Sequence, residues 1–305
     1  MKTFLCILTF LTIGLSEDLG YYEKLTDEKI VTIPFSYHNG KPLLDLEIDG
    51  KPAKLMIDNG RLWDEVWFFG SDLVDDLNFQ SIEDSEISGA GEGDPTASFT
   101  SRNISMKFKE VEFFEQPTIV SPKEAGFASM FPGVDGQLCN TFFKNFVVEF
   151  DFEKNLIFLH DINDFTQPKN SSVFDMSIKD DGSYSIPASI KIDENNNFTG
   201  AVDIDFGGIY DLKIALNNDM SIPKPENFEI TYSAGAQGST KEFKSKVLMF
   251  ELGDAKFNDL EVVYGDGKFS RINENSLGVI GLPLFQRFKT IFDFSRMKLY
   301  LEKRK

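Results

Sequence analysis

The chain repeats itself once over most of its length, and this repeat constrains the fold more than any other feature. Phe143-Lys-Asn-Phe146 is followed by Asp151-Phe152, and Phe285-Gln-Arg-Phe288 is followed by Asp293-Phe294. Both pairs of segments are 142 residues apart (146 to 288, and 151 to 293). A solenoid needs several short repeats, so a single long repeat predicts two similar lobes.

Each half also contains an apolar strand that ends in Asp-x-Gly. The two segments are Leu55-Met-Ile-Asp58-Asn59-Gly60 and Val202-Asp-Ile-Asp205-Phe206-Gly207, 147 residues apart (58 to 205). Nearer the end of each half, Gly133-Val-Asp-Gly136 aligns with Gly278-Val-Ile-Gly281 at an offset of 145. Glycine lets the backbone fold closely at such turns, which predicts that both Asp side chains are held in tight turns.

Glycine-rich segments follow the two Asp-x-Gly turns at matching distances. Gly89-Ala-Gly91-Glu-Gly93 begins 31 residues after Asp58, and Gly235-Ala-Gln-Gly238 begins 30 residues after Asp205. The matched spacing favours flaps that close over a cleft, and Gly89, Gly91, Gly235 and Gly238 are the predicted flap glycines.

Strand patterns dominate the rest of the chain. Leu44, Leu46 and Ile48 alternate with charged residues, and long amphipathic helical stretches are scarce. The sequence therefore predicts an all-β fold with two similar β-barrel lobes around a central cleft. We place the N-terminal segment at 17–30, the first lobe at 31–162, the linker at 163–182 and the second lobe at 183–305.

The N-terminus is typical of a secretory signal. Lys2 precedes the short apolar run from Phe4 to Ile13, and Gly14 and Ser16 are the small residues of a cleavage site. We therefore assign residues 1–16 to a signal peptide and expect a protein that is secreted or held in the lumen of the secretory or lysosomal pathway. The Asn-x-Ser/Thr triplets at Asn103, Asn170 and Asn197 are candidate glycosylation sites.

Composition excludes several classes of function. Lys and Arg number 31 against 49 Asp and Glu, a net charge of −18, which argues against nucleic acid and anionic membranes as partners. His38 and His160 do not have the spacing of zinc ligands, and the chain contains no Gly-x-Ser-x-Gly motif of a serine hydrolase. Cys139 cannot form an intramolecular disulfide, because the only other cysteine is removed with the signal peptide. We expect a monomer without metal or cofactor.

Two equivalent Asp-x-Gly turns suggest a mechanism. If Asp58 and Asp205 face each other across the lobes, they cannot both ionise easily, so they share one proton. The ionised carboxylate can then take a proton from water while the other donates to the attacked carbonyl. This pair would hydrolyse an amide bond without a metal or a covalent intermediate.

The order of these features resembles that of bilobal aspartic peptidases of the retropepsin-like or pepsin-like kind. The resemblance covers residues 31–303 and includes the hairpin, the Asp-x-Gly strand, the flap, the hydrophobic-Gly segment and the closing strand of each half. It implies that Asp58 and Asp205 are the catalytic pair and that the substrate is a peptide or protein.

Two positions in each active-centre turn depart from the family. The family has Thr or Ser after Asp, and Ser, Thr or Ala after Gly, whereas this chain has Asn59 and Arg61, and Phe206 and Gly208. Asn59 can still form a hydrogen bond through its side chain, but Phe206 cannot. If Arg61 reaches Asp58, it keeps that carboxylate ionised and leaves Asp205 as the protonated partner.

These departures leave three functions open. The first is an aspartic endopeptidase of low rate, the second is a degenerate homologue that binds a peptide without cleaving it, and the third is a structural secreted protein. On the sequence alone, replacing Phe206 by Thr and Arg61 by Ser is expected to raise acid proteolysis.

Overall fold

The computed structural model describes residues 20–60, 66–89, 91, 93–179, 182–216, 220–265 and 276–304. The predicted signal peptide and Arg61 lie outside these residues. The predicted all-β fold is confirmed, because strands form most of the described chain and each of its three α-helices is only four residues long. None of the helices in the described chain has the length and apolar character needed to cross a membrane.

The elements of the first half follow the chain in order, with single 3-10 turns at Asp72–Asp76 and Lys123–Ala125. They are β1 (Tyr21–Lys24), β2 (Ile30–Pro34), β3 (Ser36–His38), β4 (Lys41–Ile48), β5 (Lys51–Ile57), β6 (Val66–Phe68), β7 (Glu83–Ile87), β8 (Thr96–Phe108), β9 (Val111–Val120), α1 (Phe127–Met130), β10 (Gly136–Leu138), α2 (Thr141–Lys144), β11 (Val147–Asp151) and β12 (Leu156–His160).

The second half repeats this order. Its elements are β13 (Ser171–Asp175), β14 (Ser177–Ile178), β15 (Tyr184–Lys191), β16 (Asn197–Asp205), β17 (Leu212–Ala215), β18 (Glu229–Gly235), β19 (Gly238–Leu252), β20 (Ala255–Gly265), β21 (Ser276–Gly281), α3 (Leu282–Phe285), β22 (Phe288–Asp293) and β23 (Lys298–Lys303). The segment predicted as the linker contains β13 and β14.

Three sheets build the two lobes and join them. A nine-stranded sheet contains β1 and β3 to β10, and an eight-stranded sheet contains β14 to β21. The third sheet has the order β13-β23-β22-β11-β12-β2 and therefore takes strands from both halves. Its central antiparallel pair, β11 with β22, places Val148 opposite Phe292 and connects the lobes.

In both lobes, a second strand pairs in the same way with the strand that carries the Asp-x-Gly turn. β10 lies parallel to β5 and antiparallel to β6, and β21 has the same relation to β16 and β17. The register places Gly136 opposite Leu55 and Gly278 opposite Val202. Gly136 is therefore the counterpart of Gly278, 142 residues away (136 to 278), and the sequence alignment of Gly133 with Gly278 is wrong.

Close backbone packing explains why these two positions are glycine. A Cβ added to Gly136 would overlap the carbonyl oxygen of Trp67, and one added to Gly278 would overlap that of Lys213. A Cβ at Gly133 would meet nothing within 4 Å. The short spacing between Gly133 and Gly136 resembles that between Gly278 and Gly281, and only the strand register separates the two alignments.

The repeated phenylalanines form the core between the lobes. Six of them pack ring against ring and are almost entirely buried: Phe143, Phe150, Phe152, Phe285, Phe292 and Phe294. We call these six rings the aromatic cluster. Burying a phenylalanine side chain contributes roughly 1.5–3 kcal/mol, so the cluster stabilises the junction of the two halves. It lies next to the two Asp-x-Gly turns through Phe206.

Candidate active site

Each candidate aspartate lies at the buried end of a strand and closes a turn with its own carboxylate. The N–H of Gly60 donates to Oδ1 of Asp58 at 3.0 Å, and the N–H of Gly207 donates to Oδ1 of Asp205 at 2.8 Å. Hydrogen bonds from an Asp side chain to the backbone two residues on are common in tight turns. Both carboxylates are therefore held in place by backbone donors.

The two turns face each other, and each glycine lies against the opposite carboxylate. A Cβ added to Gly60 would overlap Oδ1 of Asp205, and one added to Gly207 would overlap Oδ2 of Asp58. Only a hydrogen atom fits at either position. The structure thus brings together Asp58, Asp205, Gly60 and Gly207, and both aspartates stay partly exposed and open to water.

Asn59 connects the two turns across the junction. Its side chain is buried, and its Oδ1 accepts a hydrogen bond from the N–H of Phe206 at 2.8 Å. The amide of Asn59 therefore braces the second turn from the first. Phe206, the middle residue of the second turn, forms no equivalent side-chain hydrogen bond to the first turn, because a phenyl ring has no donor or acceptor.

The ring of Phe206 points into the protein instead of across the junction. It is fully buried and lies 5.0–6.3 Å, centroid to centroid, from five rings of the aromatic cluster: Phe143, Phe150, Phe152, Phe285 and Phe292. The second turn is thus anchored by packing where the first is anchored by a polar contact.

A tyrosine and several ion pairs surround the second turn. The hydroxyl of Tyr210 donates to Oδ2 of Asp205 at 3.3 Å. Behind it, Lys213 and Glu242 form a buried ion pair. Burial raises the pKa of Asp211, and the guanidinium of Arg287, which pairs with it, opposes that shift. The aspartates of the candidate pair thus lie in a partly charged surrounding that strand patterns do not predict.

The tips of the two predicted flaps contact each other. Gly91 and Gln237 form a parallel bridge, and the N–H of Gly93 donates to the carbonyl of Gln237 at 2.6 Å. The side chain of Gln237 accepts from the N–H of Gly89 at 3.0 Å and donates to the carbonyl of Gly93 at 2.7 Å. We call these three hydrogen bonds the flap latch. Gly235 and Gly238 pair with each other and turn the chain at the end of β18 and β19.

The flap contact also has an apolar part. Ala236 packs against a cluster in the first lobe that includes Met56, Trp67 and Phe127. Trp67 is 6% exposed and packs against Phe127, as expected for a core residue. The flap tip of the second lobe thus rests against an apolar cluster of the first lobe.

The flap latch is expected to hold the flaps closed, and Gln237→Ala tests it. The substitution removes two side-chain hydrogen bonds, together worth about 1–2 kcal/mol, which corresponds to a roughly 5- to 30-fold larger open population. Hydrogen exchange of the amides in 89–93 and 235–238 should accelerate by that factor. Gln286→Ala is the matched control, because Gln286 bonds Tyr37 of the other half away from the flaps. Equal exchange in Gln237→Ala and the native protein would contradict the latch.

Sequence reasoning did not find three features of the site: the Tyr210 contact, the Gln237 latch and the Lys213–Glu242 pair. A lysine inside the apolar strand Leu212–Ala215 was the clearest signal for the third, because such a residue needs a buried partner. Arg61, whose contact with Asp58 the sequence left open, lies outside the described residues. No group of three or more potential metal ligands occurs in the described chain.

Comparison with known proteins supports the fold and nothing finer. No family model matches the sequence, and no curated protein matches it. An aspartic proteinase from Irpex lacteus matches at 13% identity, covering 90% of this chain and 97% of that one, with a TM-score of 0.52. Basic 7S globulin from soybean matches at 8% identity, with 90% and 95% covered and a TM-score of 0.51. Conglutin gamma, a basic 7S globulin from lupine seeds, matches at 11% identity with the same coverage and a TM-score of 0.53.

At such low identity the likeness extends to the fold alone. It agrees with the predominance of strands and with the two lobes of this chain. This chain therefore has the two-lobed β fold of pepsin-like aspartic proteinases.

Proposed function

We propose that this chain is an aspartic-type endopeptidase of low rate, in which Asp58 and Asp205 activate a water molecule. The observation that carries the proposal is the mutual contact of the two turns, in which each carboxylate lies against the glycine of the opposite Asp-x-Gly. Two carboxylates held by facing turns favour a shared proton, since two nearby negative charges repel each other.

The pair can move protons through both steps of the reaction. The ionised carboxylate takes a proton from water as the water oxygen attacks the peptide carbonyl, and the protonated carboxyl donates to the carbonyl oxygen. The products of this step are a tetrahedral diol and a pair whose proton has changed sides. In the second step the newly protonated carboxyl donates its proton to the leaving nitrogen, the other carboxylate takes a proton from a diol hydroxyl, and the C–N bond breaks, which restores the pair.

The flaps would supply backbone contacts to the substrate. Opening of the flap latch frees the N–H of Gly93 and the N–H of Gly89, both of which can donate to the carbonyls of an extended peptide. The apolar cluster around Trp67 and Phe127 can then receive a side chain in place of Ala236. The substrate class is accordingly a peptide or an unfolded protein segment.

A second candidate function is binding of a peptide or protein partner without cleavage. The contacts between the two turns favour this binding function. Asn59 accepts a hydrogen bond from the second turn, whereas the ring of Phe206 forms no hydrogen bond to the first turn. Catalysis is sensitive to such placement of its groups. Two of the structures named above are globulins, and a fold by itself does not assign an activity.

The proposed setting is the secretory or lysosomal pathway, with a monomer that needs no cofactor. Of the three candidate glycosylation sites, Asn170 and Asn197 are exposed. Asn103 is only partly exposed, and its side-chain amide donates to the carbonyl of Asn78 at 2.7 Å. Asn170 and Asn197 are thus the accessible acceptors for a glycan.

The experiment that separates the candidates is incubation with denatured protein at about pH 4, near the ordinary pKa of carboxyl groups. New peptide ends, found by mass spectrometry and blocked by a pepstatin-type transition-state mimic, support the endopeptidase. Retention of peptides without new ends supports the binding function. If folded protein neither cleaves nor retains peptides, both proposals are wrong.

A further inference from the structure

The two oxygens of Asp205 receive hydrogen bonds from different kinds of donor. Oδ1 accepts from the backbone N–H of Gly207 at 2.8 Å and from that of Gly208 at 3.2 Å. Oδ2 accepts from the hydroxyl of Tyr210 at 3.3 Å. The backbone donors belong to the turn itself, so Tyr210 is a side-chain donor from outside it.

Gly208 makes room for the tyrosine. A Cβ added to Gly208 would lie 2.6 Å from Cζ and 2.8 Å from the hydroxyl oxygen of Tyr210. The ring therefore occupies the space in which a side chain of residue 208 would begin. The absence of a side chain at Gly208 therefore allows the ring of Tyr210 to lie beside Asp205.

The backbone around Tyr210 is fixed on both sides. The N–H of Leu282 donates to the carbonyl of Gly208 at 2.9 Å, and the N–H of Gly281 donates to the carbonyl of Asp211 at 3.2 Å. Both bonds come from the junction of β21 and α3. The loop thus presents the hydroxyl to Asp205 from a rigid support.

Asp58 is supplied with fewer donors. In the part of the chain that the structure describes, its carboxylate accepts a hydrogen bond from the N–H of Gly60 at 3.0 Å, whereas Asp205 accepts from Gly207, Gly208 and Tyr210. Hydrogen bonds donated to a carboxylate favour its charged form. The distribution of donors therefore favours the negative charge on Asp205.

We propose that Tyr210 is a positioning residue that stabilises the ionised form of Asp205, so that Asp205 is the base of the pair and Asp58 carries the shared proton. This inference rests on the proposed endopeptidase function. It reverses the assignment that an Arg61–Asp58 contact would give. In the hydrolytic step Asp205 takes a proton from water, Asp58 gives its proton to the carbonyl oxygen, and Tyr210 keeps its own.

Most of the other charged groups that the structure describes near Tyr210 form ion pairs. Asp58 faces Asp205 from the opposite turn. The ammonium of Lys213 lies 5.7 Å from the centre of the Tyr210 ring and pairs with Glu242. On the flanking chain, Asp211 pairs with Arg287 and Asp203 pairs with Lys179. Removal of the Tyr210 hydroxyl therefore changes one donor to Asp205 and leaves these ion pairs in place.

The test is Tyr210→Phe, read by the pH titration of the Asp205 carboxyl carbon in protein labelled with 13C-aspartate. The signal of Asp205 is identified by its loss in Asp205→Asn. The titration midpoint should rise by about 0.5–1 pH unit, a 3- to 10-fold increase in proton affinity, because the charged form has lost a donor. The pH at which cleavage is lost on the acid side of the pH–rate profile should also rise, since Asp205 must be ionised to act as the base.

Tyr37→Phe is the matched control, because the hydroxyl of Tyr37 accepts a hydrogen bond from the neutral Gln286 at 3.3 Å. It should leave the Asp205 midpoint unchanged. A midpoint that stays the same in Tyr210→Phe, or moves equally in Tyr37→Phe, would overturn the inference. The titration of Asp205 can be measured in a protein that does not cleave peptides. Absence of cleavage would therefore count against the proposed function, and the titration would still test the role of Tyr210.

Discussion

Replacement of Asp205 or Asp58 by Asn is expected to lower acid cleavage by about 10²- to 10⁴-fold, the range for loss of one acid–base group. An amide can neither take a proton from water nor donate one to the carbonyl oxygen in the way a carboxyl group does. The double replacement should cost little more than either single one, because the two groups act as a unit. Rates of peptide release measured at about pH 4 give the comparison.

The fold should survive these changes. The side-chain oxygen of Asn at position 58 can still accept the hydrogen bond from the N–H of Gly60. Asp254→Asn is the matched control, since Asp254 lies exposed in the turn between β19 and β20. Cleavage that persists in either single variant, or that falls equally in Asp254→Asn, would show that the proteolysis does not depend on this pair.

Phe206→Ala is expected to lower the free energy of unfolding by about 3–5 kcal/mol, the usual cost of deleting a buried phenylalanine ring. Its ring contacts five members of the aromatic cluster and is fully buried. Phe206→Leu keeps most of the volume and should cost roughly 1.5 kcal/mol. Denaturant unfolding of both variants measures the difference.

The same packing changes the expected result of Phe206→Thr. The structure directs this side chain into the aromatic cluster, so a threonine hydroxyl would be buried among rings instead of reaching the first turn. The substitution should destabilise the protein and leave proteolysis no faster, contrary to the expectation from sequence. Phe228→Ala, at a residue 40% exposed, is the control and should cost about 1 kcal/mol or less. Comparable losses in Phe206→Ala and Phe228→Ala would contradict the packing account.

The sequence repeat predicted the fold because equivalent residues of the two halves pack in the same way. Phe150 and Phe292 lie 142 residues apart and both face the aromatic cluster, so their spacing follows from the symmetry of the lobes. The alignment of Gly133 with Gly278 was wrong because similar spacings of glycine occur in a loop and in a strand. Only the register with β5 and β16 distinguishes them.

The contacts at the site needed three-dimensional placement. The sequence predicted two Asp-x-Gly turns but could not identify the rings that Phe206 contacts, which depend on the backbone of the turn. Gln237 and Gly93 are 144 residues apart, and their contact follows from how two hairpins meet. Tyr210 reaches Asp205 only because Gly208 leaves the space open. Each of these contacts depends on distances that no local pattern encodes.

The most direct test of the central claim, that Asp58 and Asp205 form one pair at the centre of the cleft, is calorimetric binding of a pepstatin-type mimic at acid pH. The account predicts one mimic per chain and binding that is weakened in both Asp58→Asn and Asp205→Asn, because a hydroxyl that mimics the attacking water should bind between the two carboxyl groups. This measurement does not depend on the rate of turnover. Absence of binding to the folded native protein, or equal binding to the native protein and both Asn variants, would contradict the claim.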